Sequence, residues 1–216
     1  MTVLRIDLVS DVVCPWCAID LASLEQALQR LAGQVSVELH VQPFELNPQL
    51  PAGGEAIDEH LQRKYGMGAA QLAENQARIQ QRGAELGVVI DFNARSRIWN
   101  TFDAHRLLHW AGLEGRQLDL KRALLRAYFA EGRSVSDHAV LVEVAASVGL
   151  DASAARSILA SDAHADDVRA AEQFFQKLGI SGVPAFIIER KHLISGGQPP
   201  EVFERALLEI AATAAG

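Results

Sequence analysis

Val3 to Val9 is a short, largely apolar and β-branched stretch that predicts a strand buried on both faces. After Ser10-Asp11-Val12-Val13-Cys14-Pro15-Trp16-Cys17 the period changes. Leu21, Leu24, Leu28 and Leu31 recur at helical spacing, and Gly33 closes the predicted helix. Val35 to Val41 returns to alternation, with Val and Leu set against Ser, Glu and His, and predicts a second strand. The opening unit therefore reads strand, helix, strand, for which parallel strands joined by a right-handed crossover are the default.

Beyond Pro43-Phe44-Glu45-Leu46-Asn47-Pro48 the texture shifts. A loop with Pro51, Gly53 and Gly54 leads into a long stretch of helical periodicity with almost no strand signal. Leu72, Ile79 and Leu86 stand one heptad apart. Leu120, Ala123, Leu124, Ala127 and Tyr128 form one apolar face, and Leu141, Val144, Ala145 and Val148 another. Gly115, Gly132 and Gly149 are expected helix ends, and Ser136 an expected cap.

From about Asp166 a helix runs to Leu178-Gly179. Ala185 to Ile188 and His192 to Ile194 predict short strands joined by a tight turn at Glu189-Arg190-Lys191. A last helix opens at Pro199-Pro200, where proline is tolerated, and buries Phe203, Ala206, Leu207 and Ile210. The ends thus read βαβ and αββα around a helical insertion. This is an α/β class with a mixed sheet, a thioredoxin-like arrangement with an inserted α-helical domain. The expected division is 1–48 with 166–216 for the outer domain and 49–165 for the insertion.

Composition narrows the class. At 216 residues the chain can bury roughly 70% of its unfolded surface, so it needs no disulfide staple to fold. Its net charge of −7, with no basic block, argues against a nucleic-acid partner. No apolar run approaches the roughly 18 residues of a membrane span. The amino-terminal residues place charges inside the apolar stretch and show no basic leader, so a cytoplasmic location is expected.

Only two cysteines are present, Cys14 and Cys17. Two thiols build no disulfide framework, and half a zinc site would need two more ligands. A close pair in a reducing compartment points instead to redox chemistry. Their place between a strand and a helix start has a chemical reason. First-turn amides and the positive end of the helix dipole favour a thiolate at Cys14. Cys17 lies one turn on, within reach of a disulfide. Cys14 is therefore the expected nucleophile and Cys17 the resolving thiol. Trp16 adds no charge to this turn. Val183-Pro184 precedes a strand, and a proline there belongs at a sheet end or edge.

These segments together resemble the DsbA-like dithiol oxidoreductases. The nearest branch is the FrnE-type one, labelled polyketide-biosynthesis dithiol-disulfide isomerase and related to 2-hydroxychromene-2-carboxylate isomerase and kappa-class glutathione transferase. The resemblance runs from Ser10-Asp11-Val12-Val13-Cys14-Pro15-Trp16-Cys17 through Phe44-Glu45-Leu46-Asn47-Pro48, Lys64-Tyr65-Gly66 and Asn100-Thr101. It continues through Ala104-His105-Arg106-Leu107 and Ala127-Tyr128-Phe129, and closes at Gly179-Ile180-Ser181-Gly182-Val183-Pro184 and Gly196-Gly197-Gln198. It implies a thioredoxin fold with a helical insertion, a cis peptide before Pro184, and a Val183 backbone free to pair with an extended substrate. It also implies that Asn47, His105 and Gln198 line a cleft. Pro15 and Trp16 beside the sulfurs, with Val183 and Pro184 opposite, complete the expected substrate-contacting set. Two positions depart from the pattern: Ala18-Ile19, where a larger residue is usual, and Gly197, where alanine is usual. The first is expected to open the cleft beside Cys17.

His105 and His109 form an i, i+4 pair, but no glutamate follows the first histidine and no third ligand suggests itself, so no metal is expected. The leading function is thiol-disulfide exchange with a thiol- or disulfide-containing protein or small molecule. No tightly bound cofactor is expected, glutathione is a candidate co-substrate, and a homodimer is left open. The alternatives are a glutathione-dependent isomerase or transferase and a non-catalytic client-binding protein.

Overall fold

In a computed structural model, which describes residues 3–214, the expected order of elements is present. The outermost residues of the expected outer domain, 1–2 and 215–216, lie outside the described residues. Strand β1 (Val3–Ser10) leads into helix α1 (Pro15–Arg30) and strand β2 (Ser36–Pro43). The chain returns through helix α8 (Ala165–Lys177), strands β5 (Ala185–Ile188) and β6 (His192–Ser195), and helix α9 (Pro200–Ala214). The sheet order is β2-β1-β5-β6. β1 pairs in parallel with β2 from Val3 opposite Ser36 to Ser10 opposite Pro43, and antiparallel with β5 from Ile6 opposite Ile188 to Val9 opposite Ala185. The fold is therefore the expected mixed-sheet thioredoxin type. β1 is central and, beyond Val3 and the half-covered Arg5, buried on both faces.

The β5–β6 hairpin turns on Glu189 and Arg190, both with positive φ, and Lys191 N–H closes it onto Ile188 O at 3.1 Å. Two left-handed central residues match the right-handed twist of the flanking strands.

Between β2 and α8 the chain builds helices α2 (Ile57–Tyr65), α3 (Ala69–Glu85), α4 (Phe102–Leu113), α5 (Gln117–Phe129), α6 (His138–Ser147) and α7 (Ala152–Leu159). Here the sequence reading needs two corrections. A two-stranded ribbon, β3 (Glu55–Ala56) with β4 (Arg97–Ile98), lies among the helices. Two residues per strand is too short to leave a period in the sequence. The cap of α6 is Asp137, not Ser136: its carboxylate accepts from Val140 N–H at 3.0 Å. Neighbouring candidates of equal capping strength cannot be told apart by residue type.

One hydrophobic core joins the inner face of the sheet, α1, α9 and helices α4 to α7. A smaller cluster of Val9, Phe175, Ile180 and Ala185 fills the other face under α8. Among the described residues no helix is long and apolar enough to cross a membrane.

Candidate active site

Cys14 is the residue at which β-type backbone becomes helix: it caps α1 with φ −90° and ψ 115°, and Pro15 occupies the first helical position. The first turn is spare in donors. Pro15 has no N–H, and the amides of Cys17 and Ala18 donate to Cys14 O at 3.1 and 3.4 Å. Trp16 N–H is the first-turn amide left without a backbone acceptor among the described residues. The Cys14 sulfur stands at the head of this turn. It finds a partner elsewhere: Cys14 Sγ–H donates to Val183 O, 3.7 Å away, on the loop before β5.

Both cysteines are free thiols. Both are buried: Cys14 keeps 4% of its surface exposed and Cys17 none. Burial, together with a hydrogen bond and the charge of Cys14, pushes the Cys17 thiol well above the ordinary cysteine range.

The peptide before Pro184 is cis. A groove of about 460 Å³ runs along this segment, lined by Trp16, residues 179–185, and Leu193, Ser195, Gly196 and Gly197 of the second hairpin strand and its exit. Gly196 is required for close approach: a Cβ there would stand 2.6 Å from Pro184 Cδ and 2.9 Å from Asp20 Oδ2. Its N–H donates to Pro184 O at 2.9 Å. Asp20, on α1 just past the sulfurs, accepts from Gly197 N–H, and Ser23 Oγ donates to Gln198 O at 2.8 Å. Burial pushes the Asp20 carboxyl up to about 6 despite the amides of Gly197 and Gln198.

Behind the sulfurs lies a buried polar set, of which the sequence points to His105 but not to Lys121 or Asp11. Lys121, on α5, is fully buried with no hydrogen-bond partner for Nζ. Burial lowers its pKa, opposed by the charges of Cys17, Asp11 and Cys14. Asp11 is fully buried and accepts from the amides of Val12 at 2.7 Å and Leu46 at 2.8 Å. Burial alone would raise its pKa, yet contact with His105, the Leu46 amide and the Lys121 charge together hold it below the ordinary carboxylate range. His105 Nε2 stands 3.3 Å from Asp11 Oδ1 but is not aligned for a directed hydrogen bond.

The inserted helices also reach the sulfur turn from outside. The Arg78 guanidinium of α3 lies 5.9 Å from the centre of the Trp16 ring, supplying the positive charge that the Cys-Pro-Trp-Cys turn itself lacks. Tyr65, at the end of α2, has its phenol pKa raised by burial and by the charge of Cys14.

The structure thus brings Cys14, Cys17, Pro15, Trp16, Val183 and Pro184 together. Asn47 and Gln198 have separate surroundings, whereas His105 belongs to the buried polar set behind the sulfurs. Asn47 Oδ1 accepts from Lys64 Nζ at 2.7 Å, His105 sits with Asp11, and Gln198 is tied to α1 through its backbone. The small residue at Ala18 does not open a cleft at Cys17, which is fully buried. Ala18 instead lines a separate apolar hollow of about 310 Å³ between α1 and α5.

Comparison with known proteins agrees with this arrangement. Residues 5–208 match the family described as the DSBA-like thioredoxin domain. The uncharacterized protein YwbO of Bacillus subtilis is 30% identical over 208 residues, covering 96% of both chains. The crystal structure of the probable DsbA oxidoreductase SCO1869 from Streptomyces coelicolor superposes with a TM-score of 0.89 at 38% identity, over 97% of this chain and 90% of that one. The cytosolic disulfide reductase DsbM of Pseudomonas aeruginosa, in a structure with GSH, shares the fold at 21% identity and a TM-score of 0.62, over 97% and 99% of the two chains. A reduced cysteine pair at the head of α1, a Val-Pro turn against it and a family match across nearly the whole chain converge: this protein belongs to the DSBA-like thioredoxin domain family.

Proposed function

We propose that the protein is a thiol-disulfide oxidoreductase in which Cys14 attacks and Cys17 resolves. The observation that carries this reading is the asymmetry of the pair. Cys14 sits at the helix cap with its sulfur against Val183 O and some surface exposed, while Cys17 is enclosed and held as a thiol. The Cys14 thiolate attacks one sulfur of a partner disulfide. A mixed disulfide forms and one partner thiolate leaves, taking up a proton. Cys17 then loses its proton, and its sulfur attacks Cys14. The second partner thiol departs and a Cys14–Cys17 disulfide remains. The partner gains two electrons and the pair loses two; the reverse sequence oxidises a dithiol.

The groove along residues 179–185 suits an extended segment or a small thiol laid beside Trp16 and Val183. Glutathione is the proposed small-molecule thiol that returns the pair to its reduced form. DsbM, of the same fold, is seen with GSH, and a reducing cytoplasm supplies it. Lys121 acts as a positioning residue whose charge, shielded from water, partly offsets the burial that holds Cys17 as a thiol.

The test compares wild type with Cys14→Ser in insulin-disulfide reduction and in 2-hydroxychromene-2-carboxylate isomerisation. The account expects reductase activity in the wild type and loss of at least about a thousandfold in the variant, because a serine hydroxyl cannot form the mixed disulfide. Isomerase activity that survives the substitution would replace this reading with the glutathione-dependent isomerase. Client binding with neither activity would replace it with a non-catalytic role.

A further inference from the structure

Away from the sulfurs, three metal-ligating side chains meet where α4 packs against the start of α8. His109 lies on α4, His164 immediately precedes α8, and Asp167 is in its first turn. Their ligand atoms all lie within 4.8 Å of one another. Asp167 Oδ2 stands 3.4 Å from His164 Nδ1 and 3.6 Å from His109 Nε2. The His164–Asp167 contact is a long hydrogen bond, and the His109–Asp167 separation lies beyond hydrogen-bond reach. Both separations are also close to coordination spacing: bonds of about 2.0–2.1 Å in a tetrahedron set neighbouring ligand atoms roughly 3.3–3.4 Å apart.

Two further observations favour a ligand here. His164 holds φ 62° and ψ 8°, one of three non-glycine residues with positive φ among the described residues, and its side chain caps nothing. A left-handed residue is retained where something else fixes it. His109 is half-buried on α4. His109 also lines a hollow of about 480 Å³ along β2, the outer strand of the sheet, which gives an ion a route in from solvent.

We propose that His109, His164 and Asp167 bind a divalent transition-metal ion, best matched by zinc, with water in the fourth position. Two imidazoles and one carboxylate are a borderline-soft donor set suited to zinc. The ion ties α4 of the inserted helices to α8, the helix that leads back to β5, so its role is to fix one against the other. His105, one turn before His109, takes no part, since it faces Asp11.

Because thiolates also bind zinc, the experiment uses the full chain carrying Cys14→Ser and Cys17→Ser. Zinc titration by calorimetry should show one ion per chain and raise the melting temperature. Cobalt(II) should give the visible absorption of a tetrahedral site without a sulfur charge-transfer band. Adding His164→Asn, which tolerates the left-handed backbone, or Asp167→Asn, an isosteric change on an exposed side chain, should each weaken zinc binding by about 100-fold or more. No saturable binding, or an affinity that neither substitution alters, would overturn the site.

Discussion

At its first turn α1 is surrounded by buried groups that satisfy one another poorly, whereas from Leu21 onward its buried face is apolar and its solvent side is paired. Around the head lie Cys14, Cys17, Asp11, His105 and Lys121, and both Lys121 Nζ and His105 Nε2 lack a directed partner. Along the rest, Leu21, Leu24 and Ala27 are buried, the hydroxyl of Ser23 is partnered, and Arg30 pairs at the surface with Glu201 and Glu204 of α9. An unpartnered buried polar group costs about 1–3 kcal/mol, so a fold selected for stability alone would fill the head of α1 with hydrocarbon. One helix therefore separates two tasks: its tail holds the fold together, and its head spends stability on reactive sulfur.

That contrast can be broken most severely at the tail. Leu24→Ala empties a fully buried position in the main core and should lower stability by about 2–5 kcal/mol in denaturant unfolding. Its reductase rate per folded molecule should stay near wild type. A large loss of rate in protein that remains folded would show that the tail also shapes the site.

Asp20 stands between the two halves and gives the contrast a pH dependence. Its folded-state pKa of about 6 is raised above the ordinary carboxyl value of 3.8, so the folded chain holds this proton more tightly than the unfolded one. The resulting stabilisation is fully present below about pH 4 and is lost as pH rises through 6, amounting to up to about 3 kcal/mol. Asp20→Asn should flatten that part of the stability–pH curve. A curve with the same slope in both proteins would contradict the assignment.

The head itself is sharpened by Lys121→Met, which removes a buried charge at similar volume. Stability should hold or rise, as when buried charges give way to hydrocarbon. The rate of disulfide exchange at neutral pH should fall by about tenfold, because the Cys17 thiol loses the neighbouring positive charge that helps it ionise. Unchanged kinetics with altered stability would reduce Lys121 to a packing residue.

The sequence alone exposed one half of this contrast better than the other. Strand and helix periods located β1, α1, β2 and the αββα return, because each buries a continuous apolar face. Cys14 and Cys17 stand out because thiols are scarce and the pair sits between a strand and a helix, whereas Val183-Pro184 alone reads as loop punctuation and only the family resemblance sets it against the cysteines. Lys121 was hidden by the same rule that revealed its neighbours. Between Leu120 and Ala123 a lysine reads as the solvated side of an amphipathic helix, and only the packing of α5 behind the sulfurs buries it. Arg78 over Trp16, and His164 and Asp167 beside His109, meet across some 55 to 62 residues of chain, where no local spacing links them. The β3–β4 ribbon is too short to carry a period at all.

The central claim is that the Cys14 sulfur, not that of Cys17, forms the first bond to the partner. Intact-mass analysis of Cys17→Ala and Cys14→Ala after incubation with oxidised glutathione measures this directly. The account predicts a stoichiometric glutathione adduct on Cys14 in the first variant and none in the second. An adduct on Cys17 in Cys14→Ala, with Cys14 left unmodified in Cys17→Ala, would contradict it.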